Sequence, residues 1–338
     1  MNLYVHFPFC RNKCSYCALY SRAGTSVAER EAYVRERARE IEALADSKKF
    51  KSVYFGGGTP GLCDLRPVFA ALERRLVEEY EFTVELHPLD VSVSLLETLK
   101  AGGVNRVSMG VQSLEDEVLQ AMGRGYTAAE AKKAFGLVRR CFDNAGIDLI
   151  VGYPGSTKNE FSALGDWGLK HCSVYSLQNE RGLKGVPDDE RVMDDLASAA
   201  KTLDGIGLKR YEISNYAVEG FECRHNFAVW RGEDYLGLGE GACGREGLKR
   251  IRGVKSSEGV RYEVEEVTAD FDFKERRLFQ LRTCEGIAVE DIPEWEEKFQ
   301  RLEREGFVRL EISVTGVTKY VLTSRGTEIC DSILLDFV

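Results

Sequence analysis

The chain has 338 residues, with 46 Lys+Arg against 55 Asp+Glu, a formal net charge of −9 and 43% apolar residues. Those proportions exclude wholesale disorder and leave room for one large α/β domain plus a smaller one. The acidic balance argues against a nucleic-acid binder, which needs a basic face, and ten cysteines are the one unusual count.

The start, MNLYVHFPFC, reads as a strand and not as a signal peptide. No apolar run approaches the roughly 18 residues of a membrane span. A cytoplasmic, reducing location is expected. Cysteines there bind metal, do redox chemistry or sit in the core more often than they pair.

Strands and helices alternate from the first residue. Asn2–Phe7 reads as a strand, and Val27–Ala45 as a helix with apolar residues at three-, four- and seven-residue spacing. Lys51–Phe55 is a predicted strand, followed by a helix over Asp64–Glu79 with Asp64 as N-cap. A strand at Glu81–Leu86, a helix at Val93–Ala101 and a strand at Arg106–Val111 follow. Helices are expected at Glu115–Met122 and Ala128–Asn144, a strand at Ile147–Gly152 and a helix at Lys158–Leu169. Then come a strand at Cys172–Leu177, a helix at Asp189–Gly207 and a strand at Arg210–Ile213.

Six or more successive βα units imply parallel strands with right-handed crossovers. The expected fold is α/β: a partial (β/α)6 TIM-type barrel over residues 1–214. Its working residues should stand just after the strand ends. Residues 215–267, with nine glycines from Gly220 to Gly259, read as a loop-rich connecting region. Residues 268–338 change character. Helices at Phe273–Thr283 and Ile292–Glu305, a hairpin of Phe307–Val314 and Lys319–Leu322, and a helix at Ser324–Leu335 suggest a small winged-helix-like α+β domain. Its acidic composition points to a lid or partner surface, not to DNA.

The strongest chemical signal is Cys10-Arg-Asn-Lys-Cys14-Ser-Tyr-Cys17, three thiols within eight residues after the first strand. Three thiolates can hold three irons of a 4Fe–4S cluster and leave the fourth iron open. A structural zinc is the alternative, although zinc ordinarily takes four protein ligands.

The sequence L-Y-V-H-F-P-F-C-x-x-x-C-x-Y-C, followed by V-Y-F-G-G-G-T-P, resembles the radical S-adenosylmethionine (SAM) superfamily. Within it the chain is most similar to the oxygen-independent coproporphyrinogen III oxidase branch, which includes the HemW-type heme chaperones. The match continues through G-V-N-R-V-S-M-G-V-Q-S, I-D-L-I-V-G-Y-P-G, Y-E-I-S-N-Y-A and W-R-G-E-D-Y-L-G-L-G-E-G-A. The resemblance implies that Cys10, Cys14 and Cys17 ligate the cluster and that SAM binds its open iron. Tyr16 would pack near adenine. Gly56, Gly57, Gly58 and Thr59 would approach the SAM amino group through backbone, where a side chain would block the way. Tyr4, Glu85, Gln112, Arg124 and Asp148 match polar SAM-contacting positions. An electron from the cluster would cleave SAM to methionine and a 5′-deoxyadenosyl radical.

Three features bear on the branch. The oxidases carry a further cysteine two places after the third ligand, where this chain has Leu19. They also carry an extension ahead of the first strand, where this chain has Met1. The segment Arg224-His225-Asn226-Phe227-Ala228-Val229-Trp230 resembles the chaperone signature H-N-x-x-Y-W, with Val229 replacing the tyrosine. Imidazole is a natural axial ligand for heme iron, so His225 is the candidate heme ligand. Another departure is His87, where relatives have Asn or Asp. The resemblance thus implies a heme chaperone with an apo-hemoprotein acceptor and an electron donor. The alternative is oxidative decarboxylation of coproporphyrinogen III.

Overall fold

The structure is a computed structural model that describes residues 1–157, 160–257, 259–313 and 315–337. Lys158, where the predicted helix 158–169 begins, and Val314, where the predicted first hairpin strand ends, lie outside the described residues.

Strands β1 (Asn2–Phe7), β2 (Phe50–Gly57), β3 (Leu76–Leu86), β4 (Arg106–Gln112), β5 (Asn144–Val151) and β6 (His171–Ser176) pair in parallel in chain order. Helices α1 (Val27–Glu42), α2 (Arg66–Leu72), α3 (Val93–Ala101), α4 (Asp116–Met122) and α5 (Ala128–Cys141) make the crossovers, and α6 (Asp189–Gly205) follows β6. Capping boxes start two of them. Ser26 and Glu29 open α1, and Thr127 and Glu130 open α5.

Side chains alternate across each strand. Leu3, Val5 and Phe7, Val53 and Phe55, Phe82 and Val84, and Val107 and Met109 form the main apolar core with the helices. The alternate positions face inward, and they are polar. They are Asn2, Tyr4 and His6, Ser52 and Tyr54, Glu81, Thr83 and Glu85, Arg106 and Ser108, Asp148, and His171 and Ser173. A TIM-type barrel usually fills its interior with branched apolar side chains. Here the interior is a hydrogen-bonded network.

The sheet remains open and grows at both edges. Strand β8 (Asn215–Ala217) pairs antiparallel with β6, and β7 (Lys209–Arg210) with β8. Of the single strand predicted over 210–213, Arg210 ends β7 and the rest belongs to the turn that leads to β8. After α7 (Arg224–Trp230), β9 (Tyr235–Leu238) joins the free side of β1 in parallel. Strands β10 (Cys243–Glu246), β11 (Lys249–Ser256) and β12 (Gly259–Glu266) extend the sheet to twelve strands. The segment read as loop-rich is thus largely a meander. Its glycines allow close backbone crossings: a Cβ on Gly237 would lie 2.0 Å from the Cys243 carbonyl oxygen, and one on Gly253 2.0 Å from that of Gly239.

The remaining elements are α8 (Ala269–Leu281), β13 (Ile287–Ala288), α9 (Glu296–Arg304), β14 (Val308–Ile312), β15 (Thr318–Leu322), α10 (Ser324–Glu328) and α11 (Cys330–Leu335). They carry their own three-stranded sheet and their own core around Trp295, Phe299, Tyr320 and Phe337, in the expected winged-helix-like arrangement. A bridge between Glu212 and Thr283 and a bond from Cys284 N to Tyr211 O (2.9 Å) tie this unit to the barrel.

Several boundaries differ from expectation; α5, predicted to run to Asn144, ends at Cys141, and Asn144 opens β5. The helix predicted over 64–79 stops at Leu72, and β3 starts at Leu76, because Val77–Glu79 form an exposed strand extension without an alternating apolar signal. Leu65, not Asp64, is the N-cap of α2. Between β5 and β6 the chain makes 3-10 turns over Glu160–Trp167, where Gly165 weakens an α-helix. Among the described residues no helix is long and apolar enough to cross a membrane.

Candidate functional site

A cavity of about 520 Å³ opens at the C-terminal ends of the parallel strands. One wall is the loop after β1, which carries Cys10, Cys14 and Cys17; all three are half-buried and line the cavity. The two limbs of the loop are stitched together. Arg22 N donates to Pro8 O (2.6 Å) and Cys10 N to Arg22 O (2.9 Å). Among the described residues no three Cys, His, Asp or Glu side chains are grouped to hold one metal ion. A cubane cluster meets each thiolate at a different iron, so three thiols around one cavity suit it.

Gly57, Gly58 and Thr59 form the next part of the wall. The glycines are demanded by the protein itself. A Cβ on Gly57, where φ is +102°, would stand 2.3 Å from the His6 ring, and one on Gly58 2.7 Å from the carbonyls of Phe7 and Phe9. The expected reason was clearance for a ligand; the one seen here is the chain's own packing.

Glu85 and Asp148 face the cavity from β3 and β5. Glu85 accepts from the Tyr54 hydroxyl (2.7 Å) and from Gly57 N (3.2 Å). Burial, and then the nearby Asp148 carboxylate, push its carboxyl up to about 7. Asp148 accepts from Ser108 Oγ at 3.0 Å, and burial raises its pKa despite the bonds from Ser173 and Ser108.

Arg124 is 8% exposed and ties the far wall together. It donates to Gly110 O (2.6 Å), to the Tyr126 hydroxyl (2.8 Å), to Cys14 Sγ (3.4 Å) and to the Tyr16 hydroxyl (3.5 Å). Tyr16 stands edge-on to Tyr153 with ring centroids 6.4 Å apart. Gln112 has φ +75°, and it sits at an irregularity in the β4–β5 register that aims it at the cavity. It is the one non-glycine residue at positive φ among the described residues.

The sequence candidates that line this cavity are Cys10, Cys14, Cys17, Tyr16, Gly57, Gly58, Thr59, Glu85, Gln112, Arg124 and Asp148. Tyr4 and His225 do not line it. Tyr4 is inside the barrel, its hydroxyl 3.0 Å from His6 Nδ1 and its ring stacked on Tyr54. His225 is 4% exposed and lies against the N-terminal ends of the strands. Ser52 Oγ stands 2.9 Å from its Nδ1 and donates its own proton to Asn2 Oδ1 (2.8 Å). Nδ1 of His225 is therefore the protonated nitrogen, and Nε2 carries the lone pair. Burial and Arg106 hold its pKa down at about 3, so the ring is neutral.

Several lining residues were not singled out from sequence as ligand contacts. Tyr175, near the end of β6, and Gln178, just after it, stand at a strand end, where position was the available signal. His87, which from sequence either alters SAM contacts or bonds locally, lines the cavity too, edge-on to Tyr126 at 5.2 Å. Its Nδ1 accepts from Leu89 N (3.2 Å), and burial, with Arg124 and Arg11, brings its pKa to about 3.

The family model of the radical SAM superfamily matches residues 4–168. The bovine radical S-adenosyl methionine domain-containing protein 1, mitochondrial, is 34% identical over 271 residues, 72% of this chain and 60% of that protein. The chain thus spans less than two thirds of that relative's length. The heme chaperone HemW of Escherichia coli is 34% identical over 269 residues, covering 72% of this chain and 70% of its own. The HemW of Bacillus subtilis is 30% identical over 318 residues, 84% of each chain. In fold, the chain is similar to the solved structure of coproporphyrinogen III oxidase (HemN) from Escherichia coli, with a TM-score of 0.81, 19% identity and coverage of 99% and 89%.

Proposed function

The chain belongs to the radical SAM superfamily, in the coproporphyrinogen oxidase-like branch with the HemW heme chaperones, and on that premise we propose that it binds heme for transfer to apo-hemoproteins. It would carry one 4Fe–4S cluster on Cys10, Cys14 and Cys17 and bind SAM in the cavity beside them. The observation that carries the reading is that all three thiols share one cavity with Glu85, Gln112, Arg124 and Asp148. When bound, the cluster and SAM supply one-electron chemistry. The protein's part is to hold and orient them. The carboxylates of Glu85 and Asp148 suit hydroxyl and ammonium groups, and the buried Arg124 guanidinium suits a carboxylate and a thiolate together.

The heme step is assigned to His225. Its tautomer is already set for ligation, with Nδ1 donating to Ser52 and the Nε2 lone pair free of a proton. In the arrangement described here the ring is packed among Tyr54, Tyr4 and Tyr235. Ligation therefore requires α7 to leave the barrel end. A cytoplasmic location, a partner hemoprotein and an electron donor complete the proposal.

Heme titration of wild type beside His225→Ala, followed by absorption, tests the assignment. Loss of binding in the variant with its fold intact supports it; equal binding removes His225 as ligand. The runner-up is coproporphyrinogen III decarboxylation; the likeness to HemN, at 19% identity, is one of fold. Robust turnover with SAM and a reductant would replace the chaperone reading.

A further inference from the structure

The loop that carries the three cysteines is gripped from below by a residue far away in sequence. The turn between β9 and β10 reads Gly239-Glu240-Gly241, and Glu240 is 5% exposed. Its carboxylate accepts from the Tyr20 hydroxyl (3.0 Å) and from Arg22 Nη2 (3.3 Å). Tyr20 and Arg22 form the returning limb of the cysteine loop. The same limb is held at the Tyr20 carbonyl by His6 Nε2 (2.8 Å). Since Nε2 donates there, Nδ1 of His6 accepts from the Tyr4 hydroxyl, and the ring is fixed in one tautomer.

The turn is built for this contact. Gly239 and Gly241 have φ of +104° and +84°. A Cβ on Gly241 would meet the Tyr20 Cβ at 2.8 Å, and one on Gly239 would meet the Tyr33 hydroxyl at 2.3 Å. Tyr33, from α1, accepts from Glu240 N (2.9 Å) and donates to His6 O (2.8 Å), so the turn is also pinned to β1. Arg22 in turn lies over the ring of Phe9, the residue before Cys10, at 5.3 Å. One carboxylate therefore holds Tyr20 and Arg22, and Arg22 holds the outgoing limb at Pro8, Phe9 and Cys10.

We propose that Glu240 is a positioning residue for the cluster, acting through Tyr20 and Arg22 to hold the cysteine loop in its iron-binding shape. This rests on the reading that Cys10, Cys14 and Cys17 ligate a cluster. A short loop with three ligands and no fourth depends on its scaffold for shape. A charged, nearly buried acceptor shared by two donors is a strong scaffold contact.

The test compares wild type, Glu240→Ala, Glu240→Gln and Tyr20→Phe after anaerobic reconstitution. Iron and sulfide per chain, the rate of bleaching by a chelator and the electron paramagnetic resonance spectrum of the reduced cluster are read, with thermal unfolding as the control for fold. Tyr20 is 41% exposed, so losing its hydroxyl leaves folding intact. Bleaching is expected to be about tenfold faster in Glu240→Ala, less in Glu240→Gln, and several-fold faster in Tyr20→Phe. The Glu240→Ala spectrum should also be altered. Wild-type bleaching rates and spectra in all three variants would overturn the proposal, even if Glu240→Ala melts earlier. Wild-type protein that takes up no iron and sulfide would instead overturn the cluster reading itself.

Discussion

Both ends of the barrel interior carry acidic and basic side chains, yet they do opposite things with them. At the C-terminal end Glu85, Asp148 and Arg124 face a cavity of about 520 Å³. At the N-terminal end Glu81 and Arg106 face α7, which carries His225. Glu81 accepts from Arg224 N (3.0 Å), from His225 N (3.1 Å) and from the Cys223 thiol (3.6 Å). The first end leaves capacity for a ligand; the second is already filled by the chain's own helix. Charge in a barrel interior is therefore not by itself a sign of a ligand site. What separates the two ends is whether another piece of the same protein has used the groups.

The comparison can be broken at either end. The largest effect is expected for Cys14→Ala, which should reduce iron and sulfide to near zero after anaerobic reconstitution while leaving the unfolding transition in place. Retention of most of the iron would show that the cavity does not depend on this thiol. Next is Glu81→Ala, which removes the acceptor for two α7 amides and leaves Arg106 short of counter-charge. It should cost about 3 kcal/mol in urea unfolding and leave iron content unchanged. Lost iron with full stability would erase the distinction between the ends.

Glu85→Gln sharpens the difference through pH. The folded carboxyl sits near 7 against an ordinary 4.5, so the folded state binds the proton more tightly than the unfolded chain. Stability from this group grows as pH falls from about 7 toward 4.5 and is absent above 7. The variant should flatten that slope in denaturant titrations. An unchanged slope would mean that Glu85 titrates as an ordinary carboxylate. The smallest effect is expected for Tyr126→Phe. It removes a hydroxyl that accepts from Arg124 and donates to Val111 O (2.8 Å). A loss of about 1 kcal/mol is expected in the same measurement.

The cysteine loop and the strand-end residues were legible because their signals are local. Three thiols at fixed spacing after a strand, and polar residues at successive strand ends, need only the βα repeat to bring them together. The meander of β9–β12 was not legible. Its glycines mark backbone crossings with partners distant in sequence or across a turn, and in the sequence they look like loop residues. His225 was legible as a motif residue but not as a buried one, because Ser52 and Glu81 meet it only in the folded barrel. The constrained backbone of Gln112 follows from the β4–β5 register, which no single strand displays.

By itself, then, the sequence determined the βα order, the cysteine loop, the family resemblance and the polar rim, since each depends on short-range periodicity or spacing. The tertiary structure decided which charged residues face a cavity and which are consumed by packing, and it brought Glu240 under the cysteine loop from more than two hundred residues away. Those outcomes depend on burial and on pairing across the sheet, and neither quantity exists until the strands are laid side by side.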